Sequence, residues 1–303
     1  MSDSLPNTGL PVEEAIAELR DALASRRHSV LIAPPGAGKT TLVPLRLLHE
    51  NWVAGRKIVM LEPRRLAARA AAQRMAHMLG EKVGDTVGYQ TRDERKIGAN
   101  TRIEVLTEGI LTRRLQNDPT LDGTALVIFD EVHERNVPTD LGLAFLLDAI
   151  KTFSTDVKIL AMSATAQTQL FAHVLADDKG DAPIVTSEGR TFPIDVRYVP
   201  RQRNDRLENA ITDVVLGALN TDDGDILVFL PGIGEINRAQ TLLKERVAGN
   251  VDVLRLAGAL PFSEQDAALN ASGLGRRRVV LSTDIAETSL TVEGIHIVID
   301  VKR

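Results

Sequence analysis

The stretch "IFDEVHER" (128–135) ends an apolar run with two adjacent carboxylates, Asp130 and Glu131, and follows them with His133 and Arg135. A buried strand rarely runs into such a cluster unless the charges meet something. A partner lies upstream in "APPGAGKTT" (33–41), which approximates the phosphate-loop pattern G-x-x-x-x-G-K-[ST], with Ala33 where the first Gly would stand. Gly36 and Gly38, with Ala37 between them, let backbone N–H groups curl around phosphate oxygens. A helix opening at Lys39, Thr40 and Thr41 turns its positive dipole end toward the same oxygens. Lys39 can reach the β- and γ-phosphates, and the Thr40 hydroxyl can ligate Mg²⁺. The alternative for this stretch is a Gly-rich turn bearing an exposed Lys.

The pair at the end of "ALVIF" shifts that balance. A nucleotide site needs an acidic group at the end of a neighbouring strand to hold the metal. Asp130 takes that place, and Glu131 can face both the metal and the attacking water as general base. The alternative is a helix start decorated with acids.

Those residues must be positioned by a sheet. "SVLIAP" (29–34), "KIVMLEP" (57–63), "RIEVLT" (102–107), "ALVIFD" (125–130) and "KILAMSAT" (158–165) read as buried strands. They alternate with helical stretches such as "RRLAARAAAQRMAHMLG" and "TDLGLAFLLDAIKTF". Continuous apolar strands between helices imply an α/β fold, a parallel sheet covered on both faces. The pattern resets in the polar, Pro- and Arg-containing segment 186–204 and resumes with "DILVFL", "VDVLRLAG", "RVVLST" and "HIVID". The expected organisation is a short flexible N-terminus (1–10), a first α/β domain (11–185), a junction (186–204) and a second α/β domain (205–303).

Bulk properties narrow the classes. The 303 residues are 44% hydrophobic and 25% charged, with a net charge of −5, so a nucleic-acid site must be local rather than a general basic coat. Aromatics are only 3%, which argues against gripping single strands mainly by base stacking. No cysteine is present, which rules out disulfides and thiolate metal sites and fits a cytoplasmic location. The polar, acidic start is not a signal peptide, and "LGLAFLLDAI" is too short to span a bilayer, so no membrane is expected.

At "DEVHER" the sequence resembles the DEAH-box helicases of superfamily 2, with Val132 where the family name has Ala. Further stretches match in order: "PRRLAARAAAQRMA" is similar to motif Ia, "TEG" to Ib, "SAT" to III, "LVFLPGIGEI" to IV and "STDIAETSLTVEG" to V. "APPGAGKTTLVPL" and "ALPFSEQDAAL" look most like a bacterial branch. The resemblance implies two RecA-like domains, with ATP and Mg²⁺ between them and RNA across the top. It implies that His133 links the γ-phosphate region to the second domain. Ser163 and Thr165 would pass the nucleotide state to the RNA face, or simply cap the following helix. Arg135 reads as a local salt-bridge partner. The family's adenine sandwich falls on Arg74 and Leu269, with Leu where relatives often carry Phe; Arg74 can also be an exposed helix Arg.

Candidate backbone contacts follow from strand ends, where such sheets present ligands. "EPRR" supplies Arg64 and Arg65. "TEGILTRRLQ" opens a helix at Thr107, with Gly109 in the same motif, and "IAETSLT" supplies Thr288 with Ser289 and Thr291. Hydroxyls and amides read no base identity, so single-stranded RNA would be held through its backbone. For the two arginines a solvated helix start is the alternative. "GRRRVV" reads as a loop before a strand rather than a patch. The family's motif VI, "QRAGRAGR", and its strand-separating hairpin would follow "VIDVKR", where Val301, Lys302 and Arg303 depart from the pattern. The expected activity is RNA-directed ATP hydrolysis and translocation, impaired in a chain without motif VI; the alternative is a non-catalytic, ATP-gated RNA-binding fragment.

Overall fold

The computed structural model describes residues 6–165, 168–189, 193–200, 205–270, 275–284 and 292–301. The chain divides into two units, 1–192 and 193–303.

In the first unit α1 (Glu13–Ser25) leads into β1 (His28–Ile32), α2 (Lys39–Leu47), β2 (Lys57–Leu61) and α3 (Arg65–Met78). Then come β3 (Val87–Gln90), β4 (Arg95–Lys96), β5 (Ile103–Leu106), α4 (Glu108–Asn117) and β6 (Thr124–Phe129). A 3₁₀ turn, Val132–Glu134, precedes α5 (Val137–Phe153), β7 (Lys158–Ser163), α6 (Gln169–Val174) and β8 (Ile184–Thr186). The sheet order is β4-β3-β5-β2-β6-β7-β1-β8. Every pairing in it is parallel except β3 with β4.

Alternate residues of the central strands feed two cores. Leu31, Ile58, Met60, Ile128 and Met162 pack with α1, α2 and α3. Val30, Val59, Leu61, Val127, Phe129 and Ile159 pack with α4, α5 and α6. Both faces are therefore covered, which is why these strands are continuously apolar rather than alternating. β3 and β8 were not anticipated. At four and three residues they carry little local signal, and their partners β5 and β1 define them.

In the second unit α7 (Leu207–Thr221), β9 (Asp225–Phe229), α8 (Ile233–Arg246), β10 (Val251–Leu256), α9 (Phe262–Leu269), β11 (Arg277–Ser282) and β12 (Ile295–Asp300) form a parallel sheet of order β10-β11-β9-β12. Its core joins Ile226, Val228, Val279 and Leu281 to α7 and α8. The run "GRRRVV" opens β11, and its cations serve the fold. Arg276 pairs with Asp252, Arg277 donates to the carbonyls of Gly224 and Leu219, and Arg278 is buried against Asp225.

Candidate nucleotide-binding site

Because the central strands of the first unit run parallel, their C-terminal ends share one edge. From β1 leads Ala33 to Lys39, from β6 Asp130 and Glu131, and from β7 Ser163 to Thr165. Next to β6 stands β2, followed by Glu62 to Arg65, and next to that β5, followed by Thr107.

The phosphate-loop backbone depends on its glycines. Gly36 and Gly38 have φ of 76° and 92°, the left-handed region that Gly enters without a Cβ clash. At Gly38 an added Cβ would also lie 2.7 Å from Leu10 Cδ1. No side chain caps α2, so its first N–H groups stay available to an anion. The loop is braced from behind, where Val12 N donates to Ala37 O at 3.1 Å and Ala33 N to Ser163 O at 2.9 Å. Ala37 is buried, Gly36 exposed and Thr41 half-buried.

Lys39 and Glu131 form a buried ion pair, Nζ to Oε1 at 2.7 Å, with side chains 6% and 7% exposed. Thr40 Oγ1 donates to Asp130 Oδ2 at 2.6 Å, and Asp130 Oδ1 accepts from Glu131 N at 2.9 Å. Burial pushes the Asp130 carboxyl up to about 6, against the pull of Lys39. Burial also works to lower Lys39, but Asp130, Glu131 and Glu62 outweigh it and hold the ammonium above its ordinary value. Three carboxylates thus act on one buried cation. That excess of negative charge, with the adjacent hard oxygens of Thr40 and Asp130, suits Mg²⁺. Among the described residues no group of three or more His, Cys, Asp or Glu is placed to hold a metal, so phosphates and water would complete the shell.

Glu131 itself sits at φ 52°, ψ 37°, a left-handed conformation unusual outside Gly, and Arg135 at φ 51° closes the same tight turn. The turn presents His133 between two motifs. Its Nδ1 lies 3.3 Å from Glu131 Oε2 and 3.4 Å from Ala164 N. Nδ1 donates to the carboxylate in one tautomer and accepts from Ala164 N in the other. Ser163 Oγ accepts from Thr165 N at 3.1 Å and donates to Thr165 O at 3.2 Å, so both hydroxyl residues of "SAT" lie in one local turn. Arg135 binds Asp140 at 2.9 Å and stands 5.7 Å from the Phe171 ring centre, a local partner as expected.

In the first unit the candidate RNA contacts follow β2 and β5, the strands next in order after β6. Arg64 precedes α3 and stands 3.6 Å from Glu134; Arg65 pairs with Asp93. Thr107 precedes α4 without capping it by its side chain, and Gly109 is exposed. Glu108 accepts from Thr139 Oγ1 at 2.9 Å and from Asn136 Nδ2, tying the start of α4 to the start of α5. Arg74 is exposed on α3, and Leu269 ends α9 half-buried in the other unit. Thr288, Ser289 and Thr291 lie outside the described residues.

Glu62 was missed. It follows β2, fully buried, and adds to the field on Lys39. The available signal was an acid closing an apolar run, "KIVMLE", as Asp130 closes "ALVIF".

A parallel α/β sheet with a glycine-turned phosphate loop and an acidic pair on a neighbouring strand end defines a P-loop nucleotide-binding protein. A family model described as DEAD/DEAH box helicase matches residues 13–172, and one described as helicase conserved C-terminal domain matches residues 204–303. The chain belongs to the DEAD/DEAH box helicase family. It is 47% identical over 293 residues to the ATP-dependent RNA helicase HrpB of Escherichia coli (strain K12), covering 97% of this chain and 36% of that protein. It is 35% identical over 298 residues to an ATP-dependent RNA helicase HrpA homolog of Haemophilus influenzae, covering 96% of this chain and 22% of that one. A crystal structure of the Escherichia coli DEAH/RHA helicase HrpB superposes with a TM-score of 0.86 at 47% identity, over 96% of this chain and 37% of that one. The chain thus spans about a third or less of the length of these relatives. No helix among the described residues is long and apolar enough to cross a membrane.

Proposed function

We propose that this chain binds Mg·ATP at the Lys39–Thr40–Asp130–Glu131 cluster and couples ATP hydrolysis to movement along single-stranded RNA. The observation that carries the reading is the buried Lys39–Glu131 pair beside Thr40 and Asp130. The names of the relatives, ATP-dependent RNA helicases, support the choice of nucleotide and polymer.

ATP draws Lys39 away from Glu131 and onto the β- and γ-phosphate oxygens, while the loop N–H groups and the α2 start hold the remaining oxygens. Freed of its ion pair, Glu131 takes a proton from the attacking water. The water oxygen bonds the γ-phosphorus as the bond to the β–γ bridging oxygen breaks, leaving ADP and phosphate. Mg²⁺, when bound, neutralises phosphate charge, and Thr40 and Asp130 would hold it. His133 exchanges its contact with Glu131 for Ala164 of "SAT". Arg64, linked to the same turn through Glu134, senses that change; Arg64, Arg65, Thr107, Gly109 and Thr288 are the proposed backbone contacts. Arg74 and Leu269 are proposed to flank the adenine.

Steady-state ATP turnover alone, with single-stranded RNA and with DNA of the same sequence is the test. Stimulation by RNA above DNA supports the reading. Equal stimulation by both would remove RNA selectivity, and a rate that no polymer changes would remove the coupling.

A further inference from the structure

At the opposite edge of the first sheet, where β1, β2 and β7 begin, lies a cleft of about 380 Å³ lined by Arg26, Arg27, Arg56, Lys158, Asp156 and Trp52. None of these belongs to the nucleotide cluster. We propose that this cleft is a second anion site, for a phosphate-type dianion, either free or as a monoester.

The charge balance points there. Arg26 is matched by Asp177 at 2.6 Å, and Arg56 by Asp156 at 2.7 Å. Arg27 and Lys158 bind only backbone carbonyls in the described contacts, Thr155 O at 2.8 Å and Arg26 O at 3.0 Å. A carbonyl orients a cation without neutralising it, so two positive charges stand uncompensated among the lining groups. The C-terminus of α1 contributes roughly half a negative charge, too little to cancel them. The surroundings register the same imbalance. Burial, then Arg27, lower the pKa of Lys158; Asp156 opposes them, and Arg56 adds to the lowering. Burial pushes His28 down to about 4, and the cations Arg27, Lys158 and Arg26 add to it against Asp177.

The cleft is also rich in donors and poor in acceptors. Arg27 and Lys158 keep N–H groups beyond those single bonds. A tetrahedral oxyanion supplies several acceptor oxygens and two negative charges together. An aromatic face is not the attraction, because Lys158 already stands 5.5 Å from the Trp52 ring centre.

Trp52 is the single tryptophan of the chain, so its fluorescence reports on this cleft and not on the phosphate loop. The full chain is titrated with inorganic phosphate, and separately with glycerol 3-phosphate, at ionic strength held constant with chloride. A saturable change in Trp52 emission is expected. It should persist in Lys39→Ala and weaken about tenfold or more in Lys158→Gln and in Arg27→Gln, each losing a charge-assisted contact. Thermal melts of each variant keep a folding defect from counting as lost binding. Response to phosphate alone makes the free ion the ligand, and response to glycerol 3-phosphate alone makes it the monoester. The proposal is overturned if neither probe saturates beyond chloride, if Lys39→Ala abolishes the response, or if two folded charge-removed variants bind as tightly as the parent.

Discussion

Glu131→Gln separates the two tasks assigned to this carboxylate. The substitution keeps the shape and removes the charge. In the structure Lys39 Nζ is held by Glu131 Oε1 at 2.7 Å, and both side chains are all but excluded from water. ATP must break that contact before Lys39 can reach its phosphates. A hydrogen bond to a charged acceptor exceeds one to a neutral amide by about 1 kcal/mol. Replacing carboxylate with amide weakens the competitor by about that much, so ATP should bind up to about fivefold more tightly. Lys39 stays charged in the variant, because Asp130 and Glu62 still act on it. Hydrolysis should meanwhile fall by about two to four decades, the usual contribution of a positioned general base. A fluorescent-ATP titration gives the affinity, and single-turnover hydrolysis gives the chemical step. An affinity loss of about tenfold, or hydrolysis within about threefold of the parent, would refute this account of the Lys39–Glu131 pair.

Three further outcomes are expected. His28 is buried at the start of β1, where Nδ1 accepts from Ile159 N, and burial pushes its pKa down from about 6.5 to about 4. Below pH 6.5 the unfolded chain takes up a proton that the folded chain refuses, so stability is complete above that pH and falls by roughly 3 kcal/mol as pH drops toward 4. Urea unfolding of the first unit followed by Trp52 emission should show this loss, and His28→Asn should flatten the pH dependence; an unchanged slope would contradict it. Arg278→Met strands Asp225 and removes the donor to the carbonyls of Ala268, Asn270 and Glu293, at a cost of about 3–5 kcal/mol. Hydrogen exchange in β9 and β11 should speed up accordingly, and unchanged protection would refute the structural role. Arg64→Ala should weaken binding by a similar factor for RNAs of different sequence while leaving RNA-free ATP affinity nearly intact; a loss confined to one sequence would contradict backbone contact.

The elements that position the site were legible because they are long or strongly patterned. β1, β2, β6 and β7 carry nearly continuous apolar runs, while Glu104 interrupts β5. The carboxylates closing β6 marked Asp130 and Glu131, and the Gly-x-Gly-Lys-Thr spacing after β1 marked the phosphate loop. The short strands β3 and β8 were not legible, since four or three residues carry too little pattern, and β8 pairs with β1 far back in the sequence. Within the site, residue types were readable and their states were not. "DEVHER" gave no hint that Glu131 holds Lys39, because that pairing follows from the sheet order placing β1 near β6 across β7. Its left-handed backbone belongs to the tight 3₁₀ turn after β6, which residue types alone do not reveal. Arg278 illustrates the converse. In a run of three arginines it reads as surface, yet it is among the most buried side chains of the second unit, because Asp225 and three carbonyls converge on it.

The most direct test of the central claim is equilibrium binding of Mg·ATP to the parent chain and to Lys39→Ala, measured by calorimetry without RNA. Lys39 is held in the Thr40–Asp130–Glu131 cluster by Glu131, where its ammonium is placed to meet the β- and γ-phosphates. The account predicts one saturable site in the parent and a loss of about a hundredfold or more in the variant, as expected when a desolvated charge contact of about 3 kcal/mol is removed. Parent and variant binding Mg·ATP with equal affinity would place the nucleotide elsewhere and contradict it.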